Sequence, residues 1–319
     1  MNARDAAGFT DYKQLAARMG QDLLRRRIHR QAGIWARETH QGEGFFYFER
    51  FLPYDALTLR LLKLLGLHQQ GYRGFLDVRV VERDVFLPGL PAAFDGFRLM
   101  QLSDLHLDLD LAFTPILIDR LRPLSFDLCV VTGDFHDRIG EQADTSLSEM
   151  QRLIPLLGSS PLGVMGNHDF IEKVTFLEHH GMRILLNEAV PIQRKGARLW
   201  ICGVDDPHFF RTEDLTRAKK NLPPGELRIL LSHSPEPYRE AEMLGYHLML
   251  CGHTHGGQLC LPGGIPIINN SRSPRRLLSG AWREGRLQGY TSRGTGSCGV
   301  AARLNCPAEI TIHVLRSGN

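Results

Sequence analysis

The chain has 319 residues, 43% of them hydrophobic, and a formal net charge of +3. That composition supplies a sizeable core, in one large domain or a domain plus an extension, and the mild charge excludes a bulk nucleic-acid binder. Six cysteines (Cys129, Cys202, Cys251, Cys260, Cys298 and Cys306) are scattered without a Cys-x-x-Cys pair, which argues for reduced thiols in a cytoplasmic protein and against a disulfide framework.

No apolar stretch follows Met1–Asp5, so a signal peptide is not expected. No uninterrupted apolar run reaches the roughly 18 residues a spanning helix needs. Residues 1–73 read as a helical N-terminal extension. A first helix runs from Asp11 past Met19 into a basic segment with Arg18, Arg25, Arg26, Arg27, His29, Arg30 and Arg37. A second starts near Pro53, a favoured first-turn residue. It carries Leu57, Leu61, Leu64 and Leu65 on one face and ends near Gly66. The plain reading of the extension is a cap with solvated arginines. The sharper one is peripheral contact with an anionic membrane face, since basic amphipathic helices bind such surfaces.

The pattern changes at Gly71–Gly74, and residues 74–319 read as the second unit. Phe75–Glu82 and Val85–Pro88 are partly alternating and β-branched, as in strands. Apolar runs then alternate with helical segments. Strands are expected at Phe97–His106, Phe126–Thr132 and Leu162–Met165, with helices at Pro115–Leu121, Ala143–Leu157 and Glu172–Gly181. Further strands follow at Arg183–Leu186, Arg198–Val204, Arg228–Leu231, Tyr246–Cys251 and Ala308–Leu315, with helices at Thr212–Asn221 and Glu236–Leu244. The alternation indicates an α/β core with a largely parallel sheet.

Five of the strand ends deliver polar donors: Asp104 and His106, Asp134, Asn167 and His168, His233, then His253 and His255 in Gly252-His253-Thr254-His255-Gly256-Gly257-Gln258. Ligands of open α/β sheets gather at the carboxyl ends of strands, so these ends are expected to converge. Nitrogen and oxygen donors without thiolate suit Mn, Fe or Zn. Eight such donors exceed one tetrahedral shell and suit two divalent ions.

In this order the five motifs resemble the calcineurin-like metallophosphoesterase superfamily, from about residue 75 onward. Together with the tail Thr291-Ser292-Arg293-Gly294-Thr295-Gly296 and Arg303–Ile310, the extended Gly-His-x-His loop is similar to a bacterial branch. That branch holds the YkuE-like enzymes and a lipid A-pathway UDP-diacylglucosamine pyrophosphohydrolase. The resemblance implies an α/β sandwich of two central mixed sheets flanked by helices. It implies that Asp104, His106 and His255 bind one metal, that Asn167, His233 and His253 bind a second, and that Asp134 bridges them. His168 is then not a ligand; it meets the phosphoryl oxygen or the leaving group, oriented by Asp104 or Asp169. The activity implied is hydrolysis of a phosphomonoester, phosphodiester or pyrophosphate by metal-activated hydroxide, on a substrate that is lipid-linked or a nucleotide sugar.

Arg293 and Asn305 lie in the family-like tail, where Arg293 either contacts phosphate or ties the tail down. His136 and Asp137, close behind Asp134, either support the site or contact substrate, or are structural or solvated groups, and Asp205, Asp206 and His208 read as turn or rim residues. The alternative function is a metal-binding interaction scaffold without catalysis; a retained His168 argues against it. No interleaved aromatics accompany the arginines, so no nucleic-acid partner is expected.

Overall fold

The computed structural model describes residues 10–39, 54–137, 144–268 and 270–318, with side chains 34–39, 54 and 144 left aside. Arg37 and Pro53 therefore lie outside the described side chains. In chain order the helices are α1 (Tyr12–Met19), α2 (Gln21–Thr39), α3 (Tyr54–Leu64) and α4 (His68–Leu76). Next come β1 (Arg79–Pro88), β2 (Arg98–Leu102), α5 (Phe113–Leu121), β3 (Leu128–Val131), α6 (Asp144–Leu153), β4 (Leu162–Gly163), α7 (Lys173–His179) and β5 (Arg183–Ile184). The second half holds β6 (Glu188–Arg194), β7 (Ala197–Gly203), α8 (Leu215–Ala218), β8 (Arg228–Leu231), α9 (Tyr238–Met243) and β9 (Leu248–Cys251). It closes with β10 (Cys260–Leu261), β11 (Ile265–Pro266), β12 (Gly280–Glu284), β13 (Leu287–Thr291) and β14 (Glu309–Gly318).

Two six-stranded mixed sheets form the centre, ordered β1-β14-β2-β3-β4-β5 and β12-β13-β9-β8-β7-β6. The run β2-β3-β4-β5 is parallel, as is β7-β8-β9. The strands at the centre, Leu128-Cys129-Val130-Val131 and Leu248-Met249-Leu250-Cys251, are buried along their whole length, as parallel strands covered on both faces must be. Period-two alternation divides their side chains. Leu99, Val130, Leu231 and Leu250 fill the space between the sheets, while Met100, Cys129 and Val131 face the helices of the first sheet. Leu230, Met249 and Cys251 pack beneath α8 and α9 on the other side. Each such aliphatic side chain contributes about 1.5–3 kcal/mol on burial.

The N-terminal region differs from the sequence reading in three ways. The first helix is two: α1, capped by Asp11 accepting from the backbone of Lys13 and Gln14, ends at Gly20, whose φ is +102°. The expected strand start at Phe75 is instead the last turn of α4, so the 73/74 boundary falls inside a helix and extended backbone begins at Arg79. Phe75 faces inward and stacks on Phe113 at 4.9 Å, a contact that favours the helical turn. The basic segment is only in part a solvated patch: Arg25, Arg26 and His29 are exposed, and Arg18, Arg27 and Arg30 are not. Arg18 pairs with Glu178 and Glu188, Arg26 donates to the Arg211 carbonyl, Arg30 to that of Phe209, and Arg27 is wholly buried. Arg25 stays exposed, near Asp22. Among the described residues no helix is long and apolar enough to cross a membrane.

Candidate metal centre

All five donor-bearing strand ends meet. β2 leads to Asp104 and His106, β3 to Asp134, β4 to Asn167 and His168, β8 to His233, and β9 to His253 and His255. The approach of these loops is close enough to require glycine. A Cβ on Gly252 would lie 1.8 Å from Ser103 Oγ, and one on Gly166 would lie 2.1 Å from Asp134 Oδ1. The ligand candidates themselves sit in strained backbone. Asp104, His106, Asp134, His253 and His255 all have positive φ, between 42° and 71°. For non-glycine residues this region costs on the order of 1–3 kcal/mol each and persists where function holds it.

Three compact groups of potential ligand atoms, each within 4.8 Å of one another, result among the described residues: Asp104, His106 and His255 in the first, Asp134, His233 and His253 in the second, and His106, His168 and Cys298 in a third that shares His106 with the first. In the first, His106 Nε2 faces His255 Nε2 at 3.2 Å, and His255 Nε2 is 3.4 Å from Asp104 Oδ1. Nδ1–H of His106 donates to the His136 carbonyl at 3.0 Å, which leaves the Nε2 lone pair pointing into the site. In the second group, Nδ1–H of His233 donates to the Thr132 carbonyl at 2.8 Å. Nε2 of His233 then lies 2.9 Å from Asn167 Oδ1 and 3.2 Å from Asp134 Oδ2. His253 donates from Nε2 to the Asn270 carbonyl, turning Nδ1 inward.

The convergence is one of lone pairs, and it fits a cation. With Nδ1–H of His233 spent on a carbonyl, a deprotonated His233 Nε2 joins Asn167 Oδ1 and Asp134 Oδ2 as three acceptors within hydrogen-bond range, so positive charge belongs between them. The electrostatics agree. Burial works against an ionised Asp134, yet the charges of His233 and His168 and the His233 hydrogen bond hold it well below the usual carboxylate range. Burial likewise opposes a charged His233, and the Asp134 carboxylate overcomes it, so His233 is pushed up to about 10. Burial keeps His253 and His255 neutral, well below the ordinary imidazole value. An anionic Asp134 beside His233, with His253 and His255 held neutral, is a nitrogen and oxygen donor set suited to a divalent ion.

His168 stands beside the first two groups. Its ring meets His106 edge-on at 5.0 Å, its backbone N–H donates to Asp134 Oδ1 at 2.9 Å, and its Nδ1–H donates to the Asp137 carbonyl at 2.5 Å. Orientation by Asp104 or Asp169, expected from sequence, is not what the structure has. The Asp169 carboxylate is taken up by the backbone N–H groups of Asp134, Phe135 and Gly166 and by Lys173 Nζ. Asp104 accepts from Ser103 Oγ at 2.5 Å and from the His253 N–H.

Sequence reasoning left Asp137 open between a site contact and a structural role, and it missed Cys298. Asp137 also accepts from the Gly299 N–H, and its sole sequence signal was nearness to Asp134. Cys298 Sγ lies 3.8 Å from His168 Nε2, and burial pushes its thiol well up. Asp205 and Asp206 are buried, Asp206 capping the N–H groups of His208, Phe209 and Phe210, and the His208 ring packs on His253 at 4.0 Å. Arg293 ties the tail through Glu309, and Asn305 donates to the Cys260 carbonyl.

With this fold and donor set in place, the comparison with known proteins defines the class. The sequence model described as calcineurin-like phosphoesterase matches residues 97–257, and the chain belongs to that family. It is a metal-dependent phosphoester hydrolase. The metallophosphoesterase YkuE of Bacillus subtilis is 30% identical over 273 residues, covering 78% of this chain and 90% of that protein. YkoQ of the same organism is 29% identical, with 81% and 97% covered, and the phosphodiesterase YaeI of Escherichia coli is 30% identical, with 82% and 97% covered.

Proposed function

We propose that the enzyme hydrolyses a phosphomonoester, phosphodiester or pyrophosphate bond with two divalent ions of the Mn, Fe or Zn type. Asp104, His106 and His255 hold one ion. Asn167, His233 and His253 hold the other, and Asp134 serves both. The observation that carries this is the pair of adjacent triads with their lone pairs turned inward. When bound, the ions supply Lewis acidity at the phosphoryl group and a water of lowered pKa. His168, its Nδ1–H fixed by the Asp137 carbonyl, presents Nε2 to the site and hands a proton from that atom to the leaving oxygen. The chain from β1 onward forms the catalytic domain, and the helices before it form an extension that serves it. The test is turnover of a bis-nitrophenyl phosphodiester by metal-loaded protein: Asp134→Asn abolishes it, and full turnover in that variant overturns the assignment.

The substrate class and setting form part of the same proposal. Leu57, Leu61, Leu64 and Leu65 of the α3 region are exposed, Leu64 by 83%. On the β10–β11 side Leu261, Ile265, Ile267 and Ile268 are exposed as well. α3 borders the site: a Cβ on Gly299 would lie 2.4 Å from Asp55 Oδ1, one residue from Cys298. The exposed aliphatic side chains of the α3 region and of β10–β11 support an acylated substrate met at an anionic membrane face, with the enzyme peripheral on the cytoplasmic side. The six unpaired thiols accord with that compartment. Replacing Leu61 and Leu64 by Ser removes co-sedimentation with anionic vesicles; a wild-type protein that stays in the supernatant leaves soluble phosphoesters as the substrate.

A further inference from the structure

α2 reaches the catalytic loop that follows β4 through two buried side chains. Arg27, fully buried, donates from Nη2 to the Asp169 carbonyl at 2.5 Å. One turn further, Gln31 accepts the Ile171 N–H at 2.9 Å and donates to Glu172 at 3.0 Å. The two residues therefore grip the segment Asp169–Glu172 from one helix face, at the i, i+4 spacing that puts side chains one above the other. That segment continues directly from Asn167 and His168. Its Asp169 side chain in turn holds the N–H groups of Asp134, Phe135 and Gly166.

Arg27 also spans the two sheets. Its guanidinium lies 3.5 Å above the Phe210 ring and 3.6 Å from Asp205 Oδ1. Both belong to the loop after β7, whose His208 packs on His253. A charge this deep is costly unless its surroundings satisfy it; here a carbonyl accepts one hydrogen bond, a carboxylate and an aromatic face lie close, and Nε and Nη1 make no hydrogen bond.

We infer that Arg27 and Gln31 are positioning residues of the catalytic centre: the N-terminal extension sets the height and angle of His168 through the Asp169–Glu172 segment. The inference rests on the proposed role of His168 as proton donor. Displacement of such a donor by about 1 Å is enough to lower a rate by about 10²-fold. The loss depends on the leaving group, because a nitrophenolate departs without a proton and an alkoxide does not.

The test compares full-length wild type, Arg27→Met, Arg27→Lys, Gln31→Leu and His168→Ala on a nitrophenyl and an alkyl phosphodiester, with metal content and circular dichroism on each. Arg27→Met, with near-wild-type metal, is expected to lose about tenfold or more on the alkyl substrate. On the nitrophenyl substrate its loss is expected to be less than about threefold. Arg27→Lys recovers part of the loss, and Gln31→Leu shows the same pattern at smaller size. Equal losses on both substrates, or none, in folded variants overturn the inference; if Arg27→Met does not fold, Gln31→Leu decides. Absence of the leaving-group signature from His168→Ala itself overturns the underlying reading of His168, and this inference with it.

Discussion

His313 Nε2 lies 3.0 Å from Gln101 Oε1, and this contact is one link in a buried chain that ends at Asp104. Arg83 can only donate, so at 3.2 Å it fixes His313 Nδ1 as an acceptor and places the proton on Nε2. Gln101 passes the direction on from Nε2 to Thr132 Oγ1, its orientation fixed by a second bond to the Cys251 carbonyl. Thr132 donates to Ser103 Oγ at 2.7 Å, and Ser103 donates to Asp104 Oδ2. Every donor points the same way, toward a carboxylate at the metal centre, so each bond polarises the next.

The last link has a measurable consequence. Ser103→Ala removes a donor from Asp104 and leaves the fold intact. Partners of metal ligands typically account for about 10–100-fold in affinity, and titration calorimetry should find a loss in that range. Gln101→Leu instead strands His313 and Thr132 in the interior. It should lower unfolding stability by about 1–3 kcal/mol in urea titrations.

His168→Ala separates binding from catalysis. The imidazole touches no ligand atom through its outward nitrogen, which the Asp137 carbonyl holds. Metal content should stay near wild type while kcat falls by roughly 10²- to 10⁴-fold. Loss of metal from this variant would make His168 a ligand.

Glu213 gives a pH-dependent prediction. Burial, reinforced by the charges of Asp206, Glu240 and Asp205, raises its carboxyl to about 7 from an ordinary 4.5. A carboxyl raised by folding is protonated more readily in the folded state, so its contribution is intact below the ordinary value and is lost as pH rises through the folded one. Glu213→Gln should therefore melt higher than wild type at about pH 8, and the two should converge as pH falls below the ordinary 4.5.

The sequence made the catalytic ends of the strands legible because each follows an uninterrupted apolar run. An Asp, Asn or His at the end of Leu-Met-Leu-Cys or Leu-Cys-Val-Val has nowhere to go but the sheet edge. The positive φ of five ligand candidates had no comparable signal beyond neighbouring glycines, since it is imposed by loops from different strands meeting. Arg27 misled for a related reason. In a basic helix a charge reads as solvated, and the Asp169 carbonyl and Asp205 carboxylate that receive it lie 142 and 178 residues away in sequence. The two-residue strands β4, β5, β10 and β11 are held by their neighbours and are too short to carry a period. The helix α4 was read partly as strand because Phe75 and Leu76 adjoin a β-branched run.

The central claim is that two adjacent ligand groups act together. The most direct measurement is a titration of metal-stripped wild-type protein with Mn²⁺, following bound metal by elemental analysis and turnover of a bis-nitrophenyl phosphodiester in the same samples. The account predicts that activity rises until two ions are bound per chain and then levels off, with Asp134→Asn holding neither ion tightly. Full activity at one bound ion, or turnover unchanged by stripping, would contradict it.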